Sequence, residues 1–274
     1  MNYNCFVYKI IAVDLDETLL NDQKHVSKAD IECISQLNDC KLVIATGRGF
    51  EAVQENLKEI NQFNKENQYL ISFNGGVITE NKNNRILYAN LMPFEDAEML
   101  FNIGLKYDVC IHIYALDCCY AYRIFDLERN ILKTSHFNMQ EFNTTDLSFL
   151  KNKKIAKVLF CKKDIPYLKE IKKEINLDDK FSISFSSDRY LEINPKGVDK
   201  GKGLSKLCEI LNISIKDTIG VGDNINDIEM IKTAGVGIGV ANTIDEVRPY
   251  CDVIIESNNN ENPISEIVKK YDIK

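Results

Sequence analysis

Residues 9–19 read Lys-Ile-Ile-Ala-Val-Asp-Leu-Asp-Glu-Thr-Leu, an apolar run that ends at two aspartates separated by one residue. A run this short and continuous is typical of a strand buried on both faces, so Asp14 and Asp16 are predicted to follow its carboxyl end. One side chain and a backbone carbonyl at this spacing can hold a hard cation such as Mg²⁺, and an aspartate can attack phosphorus. The same pair is also typical of a solvated turn, so the motif alone leaves both interpretations open.

Three further strand-like runs end in polar residues in the same way. Residues 41–45 precede Thr46-Gly47-Arg48, residues 69–73 precede Asn74-Gly75-Gly76, and residues 218–221 precede Gly222-Asp223. Helical patterns separate the runs, and Ser27 is a candidate N-cap for a helix that extends to residue 37. This alternation predicts an α/β fold: a Rossmann-like core with a parallel sheet and helices on both faces. Because ligands of such sheets bind beyond the carboxyl ends of the strands, the polar segments are predicted to meet at one rim.

Two other segments carry groups that suit an anion and a metal. Lys200 stands in residues 195–203, Pro-Lys-Gly-Val-Asp-Lys-Gly-Lys-Gly, and an ammonium group there could offset the charge of a phosphoryl group. Any single lysine in this segment could also be simply solvated. Residues 222–227, Gly-Asp-Asn-Ile-Asn-Asp, offer a second metal carboxylate and an amide donor. Alternatively, Asn226 or Asp227 could cap the helix that follows.

The stretch 89–185 has a different character. Strand patterns at 110–114, 120–124 and 182–185 alternate between apolar and polar residues, and 94–106 and 165–175 are predicted to be amphipathic helices. Because units resembling the first half return afterwards, we predict an inserted α+β domain at 89–185, within a core made of residues 1–88 and 186–274. The lysines of one cluster are expected to lie in solvent along a sheet edge: Lys151, Lys153, Lys154 and Lys157.

The composition narrows the classes of function. The 274 residues carry a formal net charge of −7 and a sequence pI near 5.2, a poor match for nucleic acid or for an anionic membrane surface. No run approaches the roughly 18 consecutive apolar residues of a membrane span, and the N-terminus lacks the basic region of a signal peptide. Nine cysteines, an odd number with no C-x-x-C pair, indicate reduced thiols and a cytoplasmic protein.

Taken together, the four segments resemble the motifs of the haloacid dehalogenase superfamily. The first motif is similar to residues 14–18, the second to Thr46, the third to Lys200 and the fourth to residues 222–227. An insertion between the second and third motifs is typical of the Cof-type phosphatases, which carry a large α/β cap, and Asn74-Gly75-Gly76 resembles a further signature of that group. One position differs from the first motif of the family, because Glu17 stands where the family usually has glycine. If a left-handed backbone is needed there, Glu17 would be strained, and its charge could repel an anionic substrate.

The resemblance implies a Mg²⁺-dependent phosphatase that hydrolyses small phosphate monoesters, such as sugar phosphates, through an aspartyl-phosphate. It implies that Asp14 is the nucleophile and that Asp16 is the acid and base, with Thr46 and Lys200 completing the catalytic set. The other implied roles are phosphate binding by Thr46, Gly47, Lys200 and Asn226, metal binding by Asp14, Asp16 (through its backbone carbonyl) and Asp223, and supporting contacts from Asp227 and Asn74. The cap would select the substrate, a small phosphorylated metabolite.

Two other functions fit the same residues. A phosphomutase-like phosphoryl transferase would pass the phosphoryl group from Asp14 to a second hydroxyl rather than to water. A non-enzymatic phospho-accepting switch of the receiver type would also gather acidic residues and a lysine around Mg²⁺. The inserted domain and the paired Asp16, whose evident use is fast hydrolysis, argue against the switch.

Overall fold

The computed structural model describes residues 8–134 and 138–274, without side-chain detail for residues 132–134. The chain forms two compact units. One contains the described residues up to Arg48 together with Val53–Tyr88 and Asp199–Lys274, and the other contains Gly49–Ala52 and Ala89–Val198. The first unit therefore uses both ends of the chain, and the second is an insertion.

The first part of the chain alternates between strands and helices before the insertion. Its elements are β1 (Ile10–Val13), α1 (Lys28–Ser35), β2 (Lys41–Ala45), α2 (Gln54–Glu59), β3 (Tyr69–Ser72), β4 (Val77–Glu80) and β5 (Arg85–Ala89). Ser27 is the N-cap of α1, as predicted, and its hydroxyl accepts a hydrogen bond from the Asp30 amide. The helix ends two residues earlier than expected, at Ser35.

The insertion is built around a six-stranded sheet. Its elements are α3 (Phe94–Gly104), β6 (Cys110–Ala115), β7 (Cys119–Tyr122), α4 (Asp126–Thr134), β8 (Met139–Phe142), β9 (Ile155–Cys161), α5 (Ile165–Ile175), β10 (Phe181–Ser186) and β11 (Tyr190–Pro195). The strand order is β10-β11-β9-β6-β7-β8, and most neighbouring strands are antiparallel. Because β11 pairs with both β10 and β9, this unit continues to Val198, beyond the boundary at residue 185 drawn from the sequence.

Lys157 does not lie at a solvated edge, so that expectation is wrong for this residue. It stands on β9, which has β11 on one side and β6 on the other, and it is only 3% exposed. Its Nζ lies 2.5 Å from Oε2 of Glu192, which is also buried. The lysine is held inside the sheet by a paired charge, whereas Lys151 and Lys154, which precede β9, are exposed.

The chain then returns to the first unit and completes its sheet. The returning elements are α6 (Lys200–Leu211), β12 (Thr218–Gly222), α7 (Ile228–Thr233), β13 (Val236–Gly239), β14 (Val253–Ile254) and α8 (Pro263–Lys270). The strand order is β14-β13-β12-β1-β2-β3-β4-β5. The strands from β14 to β3 are parallel, and β4 runs antiparallel to β3. The predicted α/β class is confirmed, with a reversed edge that follows the turn at 73–76.

The parallel sheet is covered on both faces. Apolar side chains of β1 and β2, such as Ile10 and Val43, pack with Leu204 and Met230 of α6 and α7. Side chains of the opposite face, such as Ile11, are equally buried, and helices lie on both faces. Each such aliphatic side chain contributes about 1.5–3 kcal/mol through burial. Within the described parts of the chain, every helix is too short or too polar to cross a bilayer.

Candidate active site

Four parallel strands end side by side and bring distant residues to one rim of the sheet. The backbone ladder continues past the strand ends: the Asp14 amide donates to Val221 O at 2.9 Å, and the Thr46 amide donates to Ile71 O at 2.9 Å. The Asn74 amide then donates to Thr46 O at 2.9 Å. These bonds fix the main chain at the ends of β1, β2 and β3 along one rim of the sheet.

Lys200 is the cation at the centre of this rim. It is the first residue of α6 and is fully buried. Its Nζ lies 2.6 Å from Oδ1 of Asp227 and also donates to Oδ1 of Asp14. The start of α6 is held by the turn after β3, where Gly75 has a φ of +95° and a Cβ would lie 2.2 Å from Asp199 O. The glycine in Asn74-Gly75-Gly76 therefore allows the close contact that positions Lys200.

Three buried carboxylates surround this ammonium group. One oxygen from each of Asp14, Asp223 and Asp227 lies within 4.8 Å of the others. Thr18 Oγ1 donates to Oδ1 of Asp223 at 2.6 Å. Asp227 Oδ2 accepts hydrogen bonds from the amides of Asp223 (3.1 Å) and Asn224 (3.0 Å). Asp227 is thus tied to both the lysine and the backbone of the fourth segment.

The segment 222–227 agrees in part with the expected helix cap. Asp227 is the N-cap residue of α7, but its side chain makes no capping hydrogen bond to that helix. Asn224 is the N-cap of a short turn over 225–227, and the side chain of Asp227 completes a capping box with it. Gly222 is required here because a Cβ would lie 2.4 Å from the Cβ of Asp227. Asn226 lies in this turn and is partly buried.

The charges at this centre are out of balance, since one ammonium group faces three carboxylates. Burial raises the pKa of Asp14 well above its ordinary value, an effect that Lys200 opposes. Burial and the neighbouring Asp227 raise the pKa of Asp223 to about 7. Burial alone would lower the pKa of Lys200, but Asp14 and Asp227 raise it, so this lysine stays charged. An all-oxygen donor set with excess negative charge fits a hard divalent cation such as Mg²⁺.

The Asp16 carboxylate binds two cations, Arg48 and Lys24, whose role the sequence did not predict. Arg48 Nε lies 2.8 Å from Oδ2 and Arg48 Nη2 lies 2.5 Å from Oδ1. Lys24 Nζ lies 3.1 Å from the same Oδ1. Burial would raise the pKa of Asp16, but Arg48 and Lys24 hold it below its ordinary value. Arg48 follows Thr46-Gly47 directly, which was a usable signal, whereas no motif pointed to Lys24.

The second segment supplies a hydroxyl at the end of β2. Thr46 is 2% exposed, and its Oγ1 accepts a hydrogen bond from the Arg48 amide at 3.2 Å. In this bond the hydroxyl acts as the acceptor. A Cβ on Gly47 would lie 3.0 Å from Oδ1 of Asn74, so the Asn74 amide group packs against this turn. Asn74 thereby supports the loop that carries Thr46.

Glu17 adopts the left-handed backbone anticipated for a glycine position. Its φ is 60°, and its side chain is exposed. The Glu17 carbonyl accepts a hydrogen bond from Asn242 Nδ2 at 2.7 Å, which holds this conformation. A non-glycine residue in this region stores about 1–2 kcal/mol of strain. The strain therefore lies in the same segment as Asp14, Asp16 and Thr18.

Comparison with known proteins finds relatives that match most of the chain. Residues 11–268 match the profile of the haloacid dehalogenase-like hydrolases. The 5-amino-6-(5-phospho-D-ribitylamino)uracil phosphatase YcsE of Bacillus subtilis is 28% identical over 252 residues, which are 91% of this chain and 90% of YcsE. The HMP-PP phosphatase of Yersinia pseudotuberculosis is 26% identical, and the aligned residues make up 88% of this chain and 87% of that phosphatase. A haloacid dehalogenase-like hydrolase from Bacteroides thetaiotaomicron has a similar crystal structure, with a TM-score of 0.81, 28% identity and coverage of 96% and 99%.

Proposed function

Because this chain belongs to the haloacid dehalogenase-like hydrolases, as a Cof-type phosphatase, we propose that it is a Mg²⁺-dependent enzyme that hydrolyses small phosphate monoesters through an aspartyl-phosphate. The observation that carries this proposal is the position of the Lys200 ammonium group between Asp14 and Asp227, with Asp223 beside them. A nucleophilic carboxylate next to a fixed cation is the arrangement that phosphoryl transfer requires.

The first half of the proposed reaction transfers the phosphoryl group to Asp14. A carboxylate oxygen of Asp14 attacks phosphorus, the bond from phosphorus to the ester oxygen breaks, and Asp16, in its protonated form, gives that oxygen its proton and becomes a carboxylate. Lys200, Thr46 and the side chain of Asn226 bind the phosphoryl oxygens, with the backbone amide of Gly47. Because Lys200 is buried and bonded to Asp14, its charge acts without reorganisation of solvent.

In the second half, water releases the phosphate. Asp16, now a carboxylate, takes a proton from the water that attacks phosphorus, and Asp14 leaves as a carboxylate. Arg48 and Lys24 stabilise the charged form of Asp16 that this step needs. Asp227 bridges Lys200 and the 223–224 backbone, so we assign it a positioning role.

The proposed metal ligands are the carboxylates of Asp14 and Asp223 and the backbone carbonyl of Asp16. When bound, Mg²⁺ screens the repulsion between the anionic nucleophile and the phosphate dianion. Burial and the charge of Asp227 raise the pKa of Asp223, and a divalent cation bound beside these carboxylates would offset that repulsion. Thr18 orients the Asp223 carboxylate through its 2.6 Å hydrogen bond.

We propose a small phosphorylated metabolite as the substrate and the inserted unit as the part that selects it. Relatives named for a phosphorylated ribitylaminouracil and for HMP-PP support a substrate of this size. A cytoplasmic location is proposed from the cysteines. Eight are free thiols in the described chain, and six of these are buried. Cys110 and Cys161 stand opposite each other on neighbouring strands and remain unbridged, as expected in a reducing compartment.

The proposal is tested by hydrolysis of p-nitrophenyl phosphate. The wild-type enzyme should release p-nitrophenol with Mg²⁺, lose activity in EDTA and regain it when Mg²⁺ is returned. Asp14→Asn should remove turnover, whereas the control Asp39→Asn, an exposed aspartate on the same unit, should not. Near-normal turnover by Asp14→Asn would exclude Asp14 as the nucleophile. Equal release of phosphate and alcohol in the presence of glycerol would separate hydrolysis from transfer to a second hydroxyl.

A further inference from the structure

Arg48 and Lys24 form a pair of cations that the proposed reaction uses only in its second half. Both bind the Asp16 carboxylate, with Arg48 reaching both oxygens and Lys24 reaching Oδ1. Their side chains are 28% and 55% exposed, and that of Asp16 is 38% exposed. Two positive charges thus bind the single negative charge of Asp16, so Asp16 alone does not neutralise them.

The first half of the reaction requires this arrangement to change. To protonate the leaving oxygen, Asp16 must turn one carboxyl oxygen toward it. In the structure, however, Oδ2 is bonded to Arg48, and Oδ1 is bonded to both Arg48 and Lys24. At least one cation must therefore exchange Asp16 for another partner when the substrate binds. A substrate that binds the released cation favours this exchange, because it interacts with the exchanged arrangement and not with the original one.

The main chain of Lys24 is fixed by a hydrogen-bonded turn. Its φ is 63°, a left-handed conformation that a lysine adopts only under constraint. The Lys24 amide donates to Asn21 O at 2.8 Å, and the Asn21 amide donates to His25 O at 2.9 Å. The turn is tied to the C-terminal part of the unit because the Asp22 amide donates to Asn260 Oδ1 at 3.0 Å. The base of Lys24 is thus fixed, while its exposed end can change partners.

Arg48 is likewise fixed at its main chain, while its side chain reaches Asp16. Its amide donates to Thr46 Oγ1 at 3.2 Å, and its carbonyl accepts from the Phe73 amide at 3.1 Å. The main chain is therefore anchored beside the hydroxyl that we assign to phosphate binding. The guanidinium group extends from this anchor to Asp16, the residue assigned to the leaving oxygen. Both cations consequently stand on the leaving-group side of the reacting phosphate.

We propose that Arg48 and Lys24 form a receptor for a second anionic group on the substrate. The preferred substrates are then phosphate monoesters whose alcohol part carries a carboxylate or a second phosphate. This inference rests on the proposed function, because the leaving-group side is defined by the role of Asp16. A guanidinium fork and an ammonium group match the oxygens of either anion. Glu17 follows Asp16 in the chain and is exposed, so its negative charge would repel an anion. The attraction from Arg48 and Lys24 must exceed this repulsion.

The test compares substrates that differ by one anionic group. One pair is glycerol 3-phosphate and 3-phosphoglycerate, which differ by a hydroxymethyl and a carboxylate. The other pair is fructose 6-phosphate and fructose 1,6-bisphosphate. With Mg²⁺, we expect the member with the extra anionic group, in at least one pair, to have a kcat/KM about tenfold higher or more. This is the effect of one charge-assisted contact. Arg48→Gln and Lys24→Gln should each bring this ratio toward one, and the control Lys28→Gln, an exposed lysine at the start of α1, should keep it.

A binding measurement separates this inference from the proposed function. Calorimetry on Asp14→Asn with Mg²⁺ gives the dissociation constants of the same compounds without turnover. A similar ratio of dissociation constants within a pair, lost when Arg48→Gln or Lys24→Gln is added, would support the receptor. This result would hold even if Asp14 were not the nucleophile. Hydrolysis of p-nitrophenyl phosphate with no preference in either pair would overturn the receptor and leave the phosphatase intact. A preference that both glutamine variants retain would also overturn it.

Discussion

Removing the charge of Asp223 should stabilise the protein whenever no divalent cation is present. Burial and Asp227 raise the pKa of Asp223 from its ordinary 3.8 to about 7. A carboxyl whose pKa is higher in the fold than in the unfolded chain favours folding only while it is protonated, and this contribution is lost as the pH rises. Ionisation of Asp223 should therefore destabilise the metal-free protein increasingly between about pH 4 and pH 7, and by a constant amount above that range.

The size of the effect follows from the shift. A change of about three pKa units corresponds to about 4 kcal/mol at pH 8 and to about 2 kcal/mol at pH 5. Asn at this position keeps an oxygen that can accept the hydrogen bond of Thr18, whose Oγ1 lies 2.6 Å from Oδ1 of Asp223. In EDTA, Asp223→Asn should thus be more stable than the wild type by about 2–4 kcal/mol at pH 8, with a smaller difference at pH 5.

The assay is urea unfolding followed by circular dichroism, in EDTA and in excess Mg²⁺. Mg²⁺ should stabilise the wild type, because it binds the folded state, and should have little effect on Asp223→Asn. The control variant Asp39→Asn should follow the wild type at each pH. A metal-free Asp223→Asn that is less stable than the wild type at pH 8, or a wild-type stability that is level between pH 5 and pH 8, would refute this electrostatic reasoning.

Three further changes test other parts of the account. Lys200→Ala should lower kcat toward p-nitrophenyl phosphate on the order of 10²-fold or more, because it removes the buried cation at the phosphoryl site; a change confined to KM would contradict this role. Glu17→Gly should raise the free energy of unfolding by about 1 kcal/mol by relieving the left-handed strain at φ 60°, and an unchanged urea midpoint would count against strain. Lys157→Met should destabilise the inserted unit by about 3–5 kcal/mol because the buried carboxylate of Glu192 loses its cation, and adding Glu192→Leu should restore most of the loss; a double variant as unstable as the single one would contradict this reasoning.

The sequence was most informative where strands are short, continuous and followed by polar residues. The predicted strand at 41–45 coincides with β2, and the predicted helix at 165–175 coincides with α5. Continuous apolar strands have no alternation to misread, and their ends are marked by residues such as Thr46. The convergence of Asp14 and Asp223 could be predicted because parallel strands end at a common rim, whereas the place of Lys200, at the start of α6, was implied by the family resemblance.

The inserted unit was harder to read from sequence. β9 was missed because it is buried along its whole length and contains Lys157, a residue that ordinarily indicates solvent. Its burial depends on Glu192, which lies 35 positions away, and local sequence cannot show such a pairing. The boundary at 185 fell short of Val198 for a similar reason, because β11 belongs to the insertion only through its pairing with β9.

The cations on Asp16 were missed for a geometric reason. Arg48 and Lys24 lie 32 and 8 positions from Asp16, and the turn at 21–25 brings Lys24 back to it. A basic residue in a polar turn is usually solvated, so its type gave no distinguishing signal. The substrate preference inferred from this pair consequently depends on side-chain geometry that no motif encodes.

The location of a bound divalent cation tests directly whether Asp14 and Asp223 share one metal ion. Crystals soaked in Mn²⁺ should show one anomalous peak within coordinating distance of carboxylate oxygens from both Asp14 and Asp223, two residues from opposite ends of the chain. Asp223→Asn should weaken or abolish this peak. An enzyme that needs the metal for turnover but shows no peak between these two carboxylates would contradict the account.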